Sequence, residues 1–496
     1  VTAFDSSLVP SGDILIGGEW RRGRGATTPS FYPADGSLNT EIHMADAADA
    51  REAVQAADAA WRRADWAGLK PHQRADVLYR IADLIHAHRE ALAQLQRRDN
   101  GKPINETRAL VASAASTFRY FAACAQTLDE ALTPSRGDYL SMSVHEPLGV
   151  VAAITPWNSP IASDAQKLGP ALAAGNAVVL KPAEVTPLAS LALARLCEQA
   201  GVPRGVISVL PGKGLVIGDA LVRDPLVKKV SFTGGTEVGR GIARLAAEKL
   251  MPLSLELGGK SPTIVFDDAE LDHAVNGVLY GIFSSSGESC IAGSRLFVQR
   301  SIYGAFVARL VEAARKLRVG DPASERTQMG PLITARHRDT VERYVALGRD
   351  EGARVLCGGE RPTGEGRDAG FFYLPTILDG LSNHARICRE EIFGPVLVAL
   401  PFDDEAALVA DANDSVFGLA AGIWTRDYKR AWRVARALDA GTVWINTYKQ
   451  FSISTPFSGR KESGMGREKG SLGIREYMQQ KSLYWGLNDS PLPWAN

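Results

Sequence analysis

The chain carries no surplus charge of either sign. Lysine plus arginine number 56, as do aspartate plus glutamate, among 496 residues. That balance removes the electrostatic footprint of a nucleic-acid or anionic-membrane binder. Long apolar runs are missing too. None approaches the ~20 residues of a membrane span. Val1 to Gly17 lacks a basic flank ahead of an apolar stretch, so no secretory leader is expected there. Cysteine is scarce: Cys124, Cys197, Cys290, Cys357 and Cys388 are all there are. The number is odd and no two form a C-x-x-C pair, which argues against a disulfide framework and against zinc. The eight histidines form no ligand cluster; His86 and His88 point two ways on a helix. No G-x-S-x-G elbow, internal repeat or low-complexity tract appears. A cytoplasmic enzyme without metal, its thiols kept reduced, is the expectation.

Glycine, at 48 residues, is plentiful. It fits a fold with many tight strand-to-helix turns, and the length fits about three domains of roughly 150 residues each. Residues 45–98 and 109–132 have apolar positions at helical spacing. The segment 133–147 alternates and is punctuated by Pro and Gly, which predicts a hairpin. From Gly149, strands predicted at 150–155, 177–181, 206–210, 229–233 and 253–257 alternate with helices. This predicts an α/β fold with a parallel sheet covered on both faces, its ligand site beyond the carboxyl ends of the strands. A second α/β unit is predicted from about 267 to 446. The stretch 474–486 reads as a strand able to pair with the 139–144 segment.

Two residues carry the chemistry. Cys290 stands in a loop of small residues, Ser284-Ser285-Ser286-Gly287-Glu288-Ser289-Cys290-Ile291-Ala292-Gly293. A thiolate is a nucleophile, although a free thiol has pKa ~8.5 and is most often simply buried. Glu256 ends an apolar strand before Gly258-Gly259. Partial burial there raises a carboxylate's pKa and lets it deprotonate water; a strand-end salt bridge is the plain alternative. The turn Phe232-Thr233-Gly234-Gly235-Thr236-Glu237-Val238 joins a strand to a helix, where glycines admit a pyrophosphate and helix amides favour its charge. It is not the usual G-x-G-x-x-G, and a plain turn has the same look. Lys181 and Glu184 follow another strand within reach of ribose hydroxyls, or form a solvated pair. Asn158 ends a strand and can donate to an oxyanion, or is a turn asparagine.

Together these segments closely resemble the NAD(P)-dependent aldehyde dehydrogenase superfamily, over residues 15–486. The most specific pieces are Leu255–Pro262 and Phe283–Arg295. Thr155–Asn158, Lys181–Glu184, Glu391-Ile392-Phe393-Gly394-Pro395 and Pro456-Phe457 add to it in order. The resemblance implies a Rossmann-like cofactor domain (1–124 and 148–257), an α/β catalytic domain (258–466) and a small β oligomerisation element (125–147 and 467–496) in a homodimer or homotetramer. It implies that Cys290 attacks an aldehyde, that Asn158 and the Cys290 N–H hold the oxyanion, that Glu256 activates water, and that Lys167 and Glu468 relay protons. It implies NAD, with NADP less favoured because the Glu184 charge repels a 2′-phosphate. The cofactor residues it implies are Ile154, Thr155, Pro156, Trp157, Lys181, Glu184, Gly214, Phe232, Gly234, Gly235, Thr236, Val238, Leu257, Gly258, Glu391 and Phe393.

Two positions depart from the family's pattern. Glu288 stands where glutamine is usual, and a carboxylate two residues from the nucleophile is expected to raise the thiol's pKa by like-charge repulsion. Gly235 replaces a common serine and keeps only the backbone donor. Positions that resemble the aldehyde tunnel are Ser113, Ser159, Ala162, Ser163, Gln166, Ser284, Ser289, Ile291, Lys449, Phe451 and Phe457. Their polarity predicts a functionalised or semialdehyde substrate, with Lys449 either contacting a carboxylate or facing solvent. A CoA-acylating relative is the near alternative, and Glu256 argues against it. A non-catalytic scaffold is the distant one.

Overall fold

The computed structural model describes residues 12–364, 366–491 and 494. Residues 1–11, part of the stretch read for a leader, and the last residues of the predicted oligomerisation element (492, 493, 495 and 496) lie outside the described residues.

The first sheet is built on five parallel strands: β1 (Val150–Ile154), β2 (Ala177–Lys181), β3 (Ile207–Val209), β4 (Val227–Thr233) and β5 (Leu253–Glu256). Their spatial order is β3-β2-β1-β4-β5. Every residue of β1 and β2 is buried, as expected of continuous Val/Leu/Ala runs covered on both faces. Each fully buried Val or Leu side chain contributes about 1.5–3 kcal/mol. The order reverses direction between β1 and β4, and at such a switch the connections diverge and leave a crevice at the carboxyl ends of the strands.

The sheet is not purely parallel. Ile14–Ile16 and Glu19–Arg21 extend one edge antiparallel, and Gly464–Met465 pairs with β5 at the other. Runs of two or three residues have no period to read, so the sequence does not announce them.

The second sheet contains β6 (Pro262–Val265), β7 (Arg295–Gln299), β8 (Arg354–Cys357), β9 (Thr376–Asp379), β10 (Val396–Phe402), β11 (Ala420–Trp424) and β12 (Thr442–Ile445). Its order is β8-β9-β10-β7-β6-β11-β12, parallel except at β8. Only five residues, Leu257 to Ser261, join β5 of one sheet to β6 of the other. Glu256 and Cys290 therefore come from opposite sides of one seam.

The third sheet places Met478–Gly486 beside Tyr139–Pro147, with Ala131–Thr133 on its other side. The predicted 139–144 pairing with the C-terminal strand is present. Two boundaries differ. The long helix Ile104–Thr127 stops before Leu132, which is already strand, and Ile474 lies in the helix Gly470–Arg475, so the final strand starts at Met478.

Candidate active site

Cys290 sits half-buried at the end of a strained loop. Ser285 and Ser286 both hold left-handed backbone (φ +58° and +55°), a conformation costing about 1–2 kcal/mol per residue without glycine. The surroundings fix it. Glu106 accepts hydrogen bonds from the Ser285 N–H and hydroxyl, both 2.8 Å, and Ser286 donates to the Gly330 carbonyl at 2.9 Å. On the other side of the seam, a Cβ on Gly259 would meet the Cys290 carbonyl oxygen at 2.3 Å. Only glycine lets the nucleophile's backbone lie this close to the exit of β5.

That exit carries Glu256, 5 % exposed. Neither carboxylate oxygen takes a well-formed hydrogen bond from the protein, although the Ser458 hydroxyl is near enough to ease its charge slightly. Burial first, and the nearby Glu468 charge second, push its pKa well above the usual carboxylate range. Burial also pushes the Cys290 thiol up to about 12, helped by Glu391 and Glu256. Lys449 and the Cys290 N–H pull the other way.

Asn158 donates from its amide to the Glu288 carbonyl at 3.0 Å, which ties the end of β1 to the cysteine loop. An amide nitrogen has two N–H groups, so one remains beside the sulfur's loop. Lys167, fully buried, donates to Glu468 at 2.6 Å and to the Ser231 hydroxyl at 3.0 Å.

Glu288 does not act on the thiol as its sequence position led us to expect. Its carboxylate turns away and accepts the Ile333 N–H at 2.8 Å, with His337 Nε2 at 3.9 Å. Burial pushes its pKa up to about 8 and Lys102 holds it down. The left-handed turn at Ser285-Ser286 reverses the chain just before it, so proximity along the sequence is not proximity of side chains. Arg295 also faces elsewhere: it donates to the Lys260, Asp411 and Ala412 carbonyls and to Asn383.

A cavity of about 1190 Å³ opens at the switch between β1 and β4. All sixteen predicted cofactor positions except Thr236 line it, together with Asn158, Glu256 and Cys290. The Thr236 hydroxyl instead accepts the Gly258 N–H at 3.3 Å. Thr236 begins a helix running to Ala247, and a Cβ on Gly235 would meet nothing within 4 Å. Glu184 accepts the Gly214 N–H at 2.6 Å, and Lys181 donates to the Pro182 carbonyl at 3.0 Å. Desolvation brings Lys181 down to about 8. Glu391 takes the Gly259 N–H at 3.0 Å, and burial raises it to about 7. A Cβ on Gly258 would strike Glu391 at 2.4 Å.

Sequence reading missed His337 on the cavity wall. Its ring packs edge-on against Trp157 and its Nε2–H donates to the Phe393 carbonyl at 2.7 Å. Burial lowers its pKa, which favours the neutral ring.

The predicted substrate positions scatter more. Ser159, Ser163, Gln166, Ser284, Ser289 and Phe457 are half-buried, Ala162 is buried, and Phe451 and Ser113 are exposed. Ile291 packs into the second-sheet core behind Cys290. Lys449 does not simply face solvent: it donates to the Ser284 hydroxyl at 2.7 Å. A further lysine went unread. Lys469 is 8 % exposed and lies over the Phe451 and Phe457 rings. Beside Arg467, Glu468 and Gly470 it looks like an ordinary surface residue.

Comparison with known proteins shows the family. A family model described as "Aldehyde dehydrogenase family" matches residues 20–483. Betaine aldehyde dehydrogenase of Mesorhizobium japonicum is 43% identical over 474 residues, 95% of this chain and 96% of that one. The NAD+ complex structure of aldehyde dehydrogenase from Bacillus cereus aligns with a TM-score of 0.94 at 40% identity, over 97% of this chain and 98% of that one. Betaine aldehyde dehydrogenase from Staphylococcus aureus in complex with NAD+ gives a TM-score of 0.96 at 37% identity, over 98% and 97%. The chain belongs to the aldehyde dehydrogenase family.

Proposed function

We infer that this protein oxidises an aldehyde to a carboxylic acid with NAD, through a thiohemiacetal and then a thioester on Cys290. The observation that carries the reading is that a thiol and an unsatisfied carboxylate share one wall of a dinucleotide-sized cavity. The cavity's residues fit NAD. It has open main-chain amides at a helix start, where a pyrophosphate is favoured, and a lysine and a glutamate at the end of β2 for ribose hydroxyls. Its mouth near Cys290 is bounded by Glu391, Phe393 and Trp157.

NAD, when bound, supplies the hydride acceptor. The chain does the rest. A thiol held near 12 keeps its proton at neutral pH, and Glu256, whose burial raises its proton affinity, is suited to take it as sulfur attacks. Asn158 and the Cys290 N–H donate to the oxygen on which charge develops, with no reorganisation needed. Glu256 gives up that first proton before hydrolysis; once the thioester is formed it removes a second from water, and the Lys167–Glu468 pair passes each away from the site. Glu391 anchors the cofactor's nicotinamide end. The Glu184 carboxylate favours NAD over NADP. On this reading residues 1–124 and 148–257 serve the cofactor, 258–466 the aldehyde, and 125–147 with 467–496 assembly of a homo-oligomer.

Initial rates of NADH production from a panel of aldehydes test it, with NADP run in parallel. Turnover that falls by at least about 10³-fold in Cys290→Ala is expected, as is a higher kcat/KM with NAD. Undiminished turnover in that variant overturns the mechanism, and equal efficiency with both cofactors overturns the role of Glu184.

A further inference from the structure

Two lysines stand near the Cys290 thiol, and neither lines the cofactor cavity. Both hold left-handed backbone, φ +54° at Lys449 and +58° at Lys469. Such strain in a residue other than glycine persists only where the surroundings over-determine it, and it gathers at working sites. The Lys469 ammonium lies 3.9 Å from the Phe451 ring centroid and 5.2 Å from that of Phe457. Those rings meet edge to face at 5.5 Å, and Trp444 abuts Phe451 at 5.4 Å. The Lys449 ammonium donates to Ser284 at 2.7 Å, six residues before Cys290, and sits 5.9 Å from the Tyr280 ring centroid. Charge on the Cys290 sulfur would act on both lysines. Lys469 covers the ring of Phe451, which lies two residues beyond Lys449, so one short segment carries the surroundings of both ammonium groups.

We propose that Lys449 and Lys469 form an anion anchor at the aldehyde entrance, selecting aldehydes with a carboxylate at the far end and rejecting quaternary ammonium aldehydes. This rests on the dehydrogenase reading above. Stacked aromatic faces ordinarily attract a cation, and quaternary ammonium groups are held in such boxes. Here the protein's own cation already occupies the face. A cationic substrate must displace Lys469 or share the box with a like charge, and such repulsion is an effective means of rejection. A carboxylate instead meets positive charge.

Other charges at the entrance leave this intact. Glu106 is the carboxylate that acts on Lys449, but it is already engaged by Ser285 and stands 4.0 Å from the Lys102 ammonium. Lys102 adds positive charge. Glu468 and Glu256 act on Lys469, yet Glu468 is neutralised by Lys167 and Glu256 is itself disfavoured as an anion by its burial. Burial lowers the pKa of both lysines, Lys449 to about 8, and an incoming carboxylate relieves that cost.

The test compares three probes of different charge: succinic semialdehyde, butanal and betaine aldehyde, each with NAD. In the wild-type protein kcat/KM is expected to be at least about tenfold higher for succinic semialdehyde than for butanal, with betaine aldehyde poorest. Lys469→Met is expected to lower the succinic semialdehyde to butanal ratio by about tenfold or more, chiefly through KM, and to narrow the gap to betaine aldehyde. Lys449→Met lowers the first ratio only, and Lys469→Arg keeps the preference. A wild-type preference for butanal or betaine aldehyde overturns the proposal, as does a Lys469→Met variant whose three rates change in parallel. No turnover with any of the three overturns the dehydrogenase reading along with it.

Discussion

The ammonium of Lys167 lies 2.6 Å from a carboxylate oxygen of Glu468, and both side chains are removed from solvent. A buried pair of this kind is costly to break and less costly to replace whole. Lys167→Met should lower unfolding stability by about 3–5 kcal/mol, because it strands the Glu468 charge. Lys167→Met combined with Glu468→Leu should recover most of that loss in a denaturant titration while leaving turnover impaired. Recovery of both together would deny the pair a part in catalysis.

Glu256 takes two protons in the proposed scheme, first from the thiol and then from water. A thiol is a far stronger acid than water, so Glu256→Gln should slow acylation but slow hydrolysis much more. A burst of NADH close to one equivalent per active site, followed by slow turnover, is expected in stopped flow. Intact-protein mass spectrometry should then show the acyl group on Cys290. Linear progress curves with no adduct would move the water-activating role to another residue.

Turnover should also rise with pH across the neutral range. The base must be unprotonated to act, and burial has raised its pKa. The profile of kcat against pH should keep climbing well above the usual carboxylate range.

Glu288 offers a separate pH test. Its folded pKa, about 8, lies above its unfolded value, so the folded state binds the proton more tightly. The resulting stability is fully present below the ordinary carboxylate pKa. It is lost as pH rises toward about 8, at no more than roughly 1.4 kcal/mol per pH unit. Glu288→Gln should flatten stability over that window in chemical denaturation. Because the carboxylate faces Ile333, the same change should leave the pH dependence of Cys290 alkylation where it was. A downward shift of that alkylation profile would restore the direct repulsion expected from sequence.

Leu132, Leu483 and Trp485 lie exposed on one face of the three-stranded sheet, with Tyr484 exposed on the other. On the proposed reading that apolar face is the assembly interface. Light scattering should find a homo-oligomer, and Leu483→Asp with Trp485→Asp should shift it to a smaller species without loss of secondary structure. An unchanged mass would place the interface elsewhere.

The parts of the site lying in continuous stretches were readable. Glu256 and Cys290 each sit inside a short run whose composition already implies a turn, and the strand ends holding Lys181 and Gly234 follow from apolar runs stopping at polar residues. Lys167 and Glu468, 301 positions apart, were reachable only through resemblance to a family, since no local pattern links a helix to a C-terminal turn. Glu288 was misread because spacing in a chain says nothing about direction when two serines take left-handed backbone. Lys469 was passed over because burial comes from rings at 451 and 457 that fold over it. The short antiparallel edges of the first sheet went unseen because three residues carry no periodicity.

Gly259 has no functional group, yet the Cys290 carbonyl occupies the space its side chain would need. The catalytic register is thus set by a missing methyl. A Gly259→Ala allele would encode a protein with every reactive group intact and its attacking atom displaced. Surveys of natural variation that score only reactive side chains would pass over such a lesion.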